Sequence, residues 1–125
     1  MRYLLPRGMM DTYVHSYLGT EAEQRAERLN DWRVAPLKAQ SLAGLPPMVV
    51  VSCGLDPLCD EALELVRRVR QEQGQESGAA EPTHVHMPGA IHGFLTLPSF
   101  ATDRKQCEFA LSRIEAAVKR GPDIL

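Results

Sequence analysis

The stretch Val49-Val50-Val51-Ser52-Cys53-Gly54-Leu55-Asp56-Pro57-Leu58-Cys59-Asp60-Glu61 decides how the rest of the chain is read. It opens as an apolar, β-branched run, the pattern of a strand buried on both faces. Gly54 reads as the break in that run, so the strand is expected over residues 48–53. Asp56-Pro57 then has the composition of a helix start, with a side-chain acceptor at the cap and proline behind it. A carboxylate is thus expected just beyond the carboxyl end of a buried strand. In open α/β sheets ligands and chemistry collect at that edge. Ile91-His92-Gly93-Phe94 follows a second short strand and is the natural partner. An acid and a histidine at neighbouring strand ends are two members of a nucleophile–base–acid arrangement.

Working outward, the next element is a helix over residues 58–73. Leu58, Ala62, Leu65, Val66 and Val69 form its apolar stripe, and Glu64 and Arg68 sit at i,i+4 spacing. Residues 74–82 have loop composition. A second strand is expected over 83–87, ended by Pro88; its alternation is that of an edge strand. Two strands joined through a helix pair in parallel. A last helix over 102–120 shows Cys107, Ala110, Leu111, Ile114, Ala117 and Val118 on one face, and Gly121-Pro122 stops it. Upstream, Met10, Tyr13, Val14, Tyr17 and Leu18 recur at helical spacing over 9–18, with Asp11 near the start and Gly19 after the end. Thr20-x-x-Glu23 has the form of a capping box opening a polar helix through Leu29. Residues 30–47, with Pro36, Gly44 and Pro46-Pro47, read as a connector, and Trp32 as packing material.

The 125 residues suit one domain or part of one, and 44% hydrophobic with 24% charged residues is ordinary globular composition. A formal net charge of −2 gives no reason to expect nucleic acid or an anionic membrane as a partner. Three cysteines without regular spacing argue against a disulfide framework and for a reducing, cytoplasmic setting. The apolar core of residues 1–10 is too short for a signal peptide, and no apolar run approaches the roughly 20 residues of a membrane span. The first strand needs neighbours on both edges, yet the chain supplies one clear partner. A two-stranded sheet with a fully apolar strand is a poor independent fold. More sheet is therefore expected on the far side of that strand, with self-association through the exposed edge in its absence.

The motifs Ser41-Leu42-Ala43-Gly44-Leu45-Pro46-Pro47, Asp56-Pro57-Leu58-Cys59-Asp60-Glu61 and Pro88-Gly89-Ala90-Ile91-His92-Gly93-Phe94, in this order around the apolar strand, resemble the hormone-sensitive-lipase-like esterases of the α/β-hydrolase fold. The resemblance covers residues 9–120. It implies the last βαβα portion of a mostly parallel sheet with flanking helices. Residues 1–30 would be a cap-proximal helical region, and 48–120 the strand-helix-strand-helix part with the acid and base loops. It implies that Asp56 is the triad acid and His92 the triad base, acting on a small-molecule ester, with no cofactor and no metal. Cys59 departs from the family's usual arginine, and the 74–82 loop is longer than usual. The G-x-S-x-G elbow and the H-G-G-G oxyanion loop are missing. The chain reads as the C-terminal portion of such an enzyme, carrying acid and base without the nucleophile. The alternatives are a non-catalytic fragment or interaction protein of the same fold, and a nucleotide-binding βαβ module. The second is disfavoured because no G-x-G-x-x-G or P-loop pattern occurs.

Asp56 also reads as a plain helix cap, and His92 as an ordinary core or surface histidine. Gly93 allows close backbone packing, and Phe94 and Leu95 anchor the loop. His84 and His86 alternate onto one strand face, as a metal pair would, but lack a third ligand. Cys59 is a helix-start thiol, either reactive or inert. Asp60 and Glu61 read as first-turn helix acids that support the His92 loop. Ser52 and Cys53 are the nucleophile candidates nearest Asp56 in sequence.

Overall fold

The computed structural model describes residues 5–73, 81–96 and 104–119. Their elements run α1 (Arg7–Leu18), α2 (Ala22–Arg28), a 3₁₀ turn (Pro36–Lys38), β1 (Val49–Leu55), α3 (Cys59–Gln73), β2 (Thr83–Ile91) and α4 (Arg104–Val118). β1 and β2 pair in parallel. Most of the expected 74–82 loop and the Gly121-Pro122 stop lie outside the described residues.

One face of the sheet carries the core. Cys53, Val85, Met87 and Ala90 close against Cys107 and Ala110 of α4, with Phe94 completing the cluster. Successive strand residues point to opposite faces, so Ser52, His84 and His86 lie on the other side. α3 packs against β1. Its Val66 and Val69 are buried as the stripe requires, and Gln73 joins them. The α4 face is narrower than its periodicity suggests: Cys107 and Ala110 are buried, while Leu111 and Val118 are exposed.

Both strands outrun their expected ends. β1 continues through Gly54 to Leu55, and β2 continues through Pro88 to Ile91. The reason is a bulge. Val49 to Cys53 pair in step with Thr83 to Met87, but the next pair is Leu55 with Ile91. Gly54 thus stands opposite Pro88, Gly89 and Ala90. A Cβ on Gly54 would lie 2.3 Å from the Pro88 carbonyl oxygen, which accounts for the glycine. Proline, which cannot donate to a ladder, is tolerated at such a bulge.

β1 is not buried on both faces here. Val49 is exposed, Val50 and Val51 are half-buried, and only Ser52 and Cys53 are buried. Its second edge has no partner strand among the described residues. The apolar run was correctly read as strand, but the cover its composition calls for is not supplied by these residues.

The upstream region differs from its pattern more widely. α1 begins at Arg7 behind Pro6, without a side-chain cap, and buries only Leu18; Tyr13, Tyr17 and Trp32 are exposed. The capping box does not form. α2 starts after Glu21 with no side-chain cap bond. Instead the Arg25 guanidinium donates to the Gly19 and Thr20 carbonyls, at 3.2 and 2.9 Å. The connector is tied down by polar groups of α3. Arg68 donates to the Leu37 and Ala39 carbonyls and pairs with Glu72 at 2.7 Å. Glu72 accepts from the Leu42 amide and the Ser41 hydroxyl, and Gln73 donates to the Leu45 carbonyl. The Leu42 amide first, and Arg68 next, hold the Glu72 carboxyl below its ordinary value. With Arg68 so engaged, Glu64 pairs with Arg67 at i,i+3 and not with Arg68. No helix among the described residues is long and apolar enough to cross a membrane.

Candidate active site

Asp56 and His92 are each the first residue after a paired strand. The bulge brings them level. Across it β2 gains two residues on β1, so that Leu55 meets Ile91 and the residues that follow are neighbours. A gain of two keeps the inward and outward alternation intact, where a gain of one would turn every later side chain over. In the unbulged register Asp56 would stand beside Ala90.

The two readings of Asp56 divide between its oxygens. Oδ1 accepts from the Leu58 amide at 2.9 Å, and the Asp56 carbonyl accepts from the Cys59 amide at 3.1 Å, which starts α3. Oδ2 lies 2.8 Å from His92 Nδ1. The capping bonds therefore fix the carboxylate that the histidine meets. The Asp56 side chain is 11% exposed and that of His92 44%, so the pair is rooted in the protein while the imidazole remains open to a reactant.

The His92 loop is held from below. Phe94 is buried in the core cluster with Leu95 packed against it, and the Cys107 thiol reaches the Phe94 carbonyl at 3.7 Å. The Thr96 amide and hydroxyl both donate to the Gly93 carbonyl, at 2.9 and 2.8 Å. Gly93 has φ +73°. A Cβ there would meet nothing closer than 3.6 Å, so the glycine answers to the left-handed backbone and not to close packing.

The remaining candidates fall elsewhere. Ser52 is buried, with its hydroxyl held between His84 and His86. Cys53 lies in the core, and burial, with Asp56 nearby, pushes its thiol up to about 11. Neither presents a ready nucleophile to His92. Cys59 is half-buried, and burial, then Asp60 and Asp56, push its thiol up as well, opposite to what a reactive cysteine needs. Asp60 and Glu61 are exposed first-turn acids of α3, with no bond to the His92 loop among the described residues. Among those residues no group of three or more His, Cys, Asp or Glu side chains converges as a metal site would require. Sequence reasoning missed the residues that build the bulge, Gly54 and Pro88-Gly89-Ala90. The signal was present: a glycine inside one strand run and a Pro-Gly at the end of the other.

A parallel strand pair that carries an acid and a histidine on adjacent carboxyl ends, flanked by helices, defines a portion of an α/β hydrolase domain. A family model described as alpha/beta hydrolase fold matches residues 1–96, and the chain belongs to that family, among its hormone-sensitive-lipase-like esterases. It is 33% identical over 85 residues to hormone-sensitive lipase of Homo sapiens, a match of 65% of this chain and 7% of that protein. It is 30% identical over 104 residues to arylacetamide deacetylase of Oryctolagus cuniculus, covering 79% of this chain and 25% of that one. Among solved structures, an ester-hydrolase from the metagenome of Lake Arreo, in complex with a bipyridine phosphonate derivative, superposes with a TM-score of 0.70 at 32% identity. That superposition spans 94% of this chain and 32% of the ester-hydrolase chain.

Proposed function

We propose that this chain supplies the acid and the base of a serine-hydrolase centre that cleaves carboxylic esters through an acyl-enzyme. The 2.8 Å approach of Asp56 Oδ2 to His92 Nδ1, at the level carboxyl ends of two parallel strands, carries the reading. An ionised carboxylate only accepts, so Nδ1 carries the proton in this role and Nε2 is left as the acceptor. In this role Nε2 takes the proton of an attacking hydroxyl and returns it to the departing alcohol. Asp56 holds the tautomer and stabilises the imidazolium without taking the proton. The ester class is supported by the relatives, which include a lipase, a deacetylase and an ester-hydrolase. The sequence holds no G-x-S-x-G and no H-G-G-G. The nucleophile and the oxyanion donors of this reading therefore come from sequence outside these residues.

The test is p-nitrophenyl butyrate turnover by the chain, by His92→Ala and by Asp56→Ala. Equal, near-background rates in all three are expected, because acid and base without nucleophile or oxyanion hole lack the joint effect of the set. Saturable turnover that both substitutions abolish would place the nucleophile within these 125 residues and overturn the reading that it lies elsewhere. Saturable turnover that both substitutions leave intact would overturn the assignment of Asp56 and His92.

A further inference from the structure

A second cluster of titratable side chains lies on the same two strands, upstream of Asp56 and His92. Ser52 is 2% exposed. Its Oγ lies 2.8 Å from His84 Nε2 and 2.8 Å from His86 Nδ1. Ser52 and His86 are register partners, and His84 stands one step back on the same sheet face. The two imidazole centroids are 6.1 Å apart. From α3, Arg70 donates to the Pro82 carbonyl at 3.4 Å and adds positive charge near His84. α4 packs on the opposite face, against Cys53, Val85 and Met87.

A serine hydroxyl donates one hydrogen bond and accepts up to two. With both rings neutral, one facing nitrogen accepts from the hydroxyl and the other donates to it. A proton added to the donating ring leaves both bonds in place. A second proton makes donors of both facing nitrogens. Oγ can then accept from both rings, but its own buried O–H is left without an acceptor, and two cations stand 6.1 Å apart beside Arg70, which together favour separation of the rings.

We propose that Ser52, His84 and His86 form an acid-sensitive clamp on the β1–β2 pairing, closed while at most one proton is bound and opened by the second. The clamp lies beneath the bulge that aligns Asp56 with His92, so its opening loosens the frame on which that pair is mounted. Burial first, then His86 and Arg70, hold the His84 imidazole below its ordinary 6.5. The unfolded chain therefore binds the proton more readily, and stability falls as pH drops below 6.5 until His84 is charged in the folded state.

The test uses the full chain and needs no ester hydrolysis. Urea midpoints and amide exchange are measured from about pH 7.5 to about pH 5.5, the range of histidine titration. The proteins are the wild type, His84→Gln, His86→Gln and Ser52→Thr. Glutamine offers Oγ a donor or an acceptor but takes no proton in that range. The wild-type midpoint should fall with acidification, and exchange protection at residues 50–54 and 84–87 should fall with it. Either glutamine substitution should remove about half of that fall or more, because each eliminates the second proton. Ser52→Thr, which retains the hydroxyl, should keep it. A flat wild-type profile, or glutamine variants with the wild-type slope, overturns the clamp. So does flattening by His84→Gln alone when His86→Gln folds and keeps the slope, since burial of one histidine would then account for the effect. Should His84→Gln fail to fold, His86→Gln decides alone: flattening supports the clamp and an unchanged slope refutes it. Should His86→Gln fail to fold, His86→Asn takes its place and is read by the same two outcomes.

Discussion

The two parts of this chain, residues 5–45 and residues 48–118, are held by different physics. In the second, apolar side chains from both strands, the His92 loop and α4 meet in one core. In the first, helix α1 buries one residue and α2 none. The connector is tied to α3 by a set of polar bonds from Arg68, Glu72 and Gln73, beside the buried Leu42. The candidate site stands wholly in the apolar part. Its geometry depends on core packing and strand register, whereas the connector is held in large part by polar groups that water can replace.

That contrast can be broken at its strongest point first. Gly54→Ala places a Cβ against the Pro88 carbonyl, which is backbone and cannot swing aside. Overpacking of this kind costs about 3 kcal/mol. The expected outcome is a large drop in the urea midpoint together with loss of the Asp56–His92 bond, read as disappearance of the His92 Nδ1 proton resonance. A variant of unchanged stability with that resonance intact would mean that the bulge does not align the pair.

Val69→Ala, at a fully buried position of α3, should cost about 2 kcal/mol from lost transfer energy and the cavity left behind. It tests whether the α3 side of the sheet matters as the α4 side does. Glu72→Gln should act differently. It removes the charge that accepts from the Leu42 amide and from Arg68, so hydrogen exchange should quicken at residues 37–45 while β1 and β2 keep their protection. Because the Glu72 carboxyl titrates below its ordinary value, its contribution is present above that value and fades as pH falls through the lowered one. The same local release is expected when the wild type is acidified. Global unfolding by Glu72→Gln would erase the distinction between the two parts.

The smallest effects are expected at the exposed aromatics. Tyr13, Tyr17 and Trp32 are each more than half exposed, so serine substitutions there should change stability by no more than about 0.5 kcal/mol. The second edge of β1 has no partner strand among the described residues. Its apolar residues carry none of the charges that blunt edge strands. We propose that the chain self-associates through this edge. Sedimentation should show a concentration-dependent dimer or larger species that Val50→Lys reduces, and a monomer at all concentrations would contradict the proposal.

What could be read from the sequence follows the same division. The juxtaposition of Asp56 and His92 was legible because each follows an apolar or alternating run whose pairing is fixed by burial. The α3 stripe was legible for the same reason. The ends of the strands were not, because glycine and proline mark a break and a bulge with the same letters. Only the register from Val49–Thr83 to Leu55–Ile91 separates the two meanings. The upstream region misled most. The helix that its spacing predicts forms as α1, yet Tyr13 and Tyr17 on it stay exposed, and at Thr20-x-x-Glu23 the nearby Arg25 guanidinium, bonding the Gly19 and Thr20 carbonyls, stands where the pattern predicts a capping box. The Ser52–His84–His86 bridge was half visible: the histidines share a face, but the serine between them comes from another strand.

The central claim is that Asp56 and His92 are a working acid and base. It is tested most directly by replacing the matching third of the Lake Arreo ester-hydrolase with this chain, residue for residue along their superposition. The chimera should hydrolyse p-nitrophenyl butyrate with saturation. His92→Ala within it should lower kcat at least about a thousandfold, and Asp56→Ala by a comparable factor, with KM little changed. A folded, active chimera that tolerates both substitutions would contradict the account.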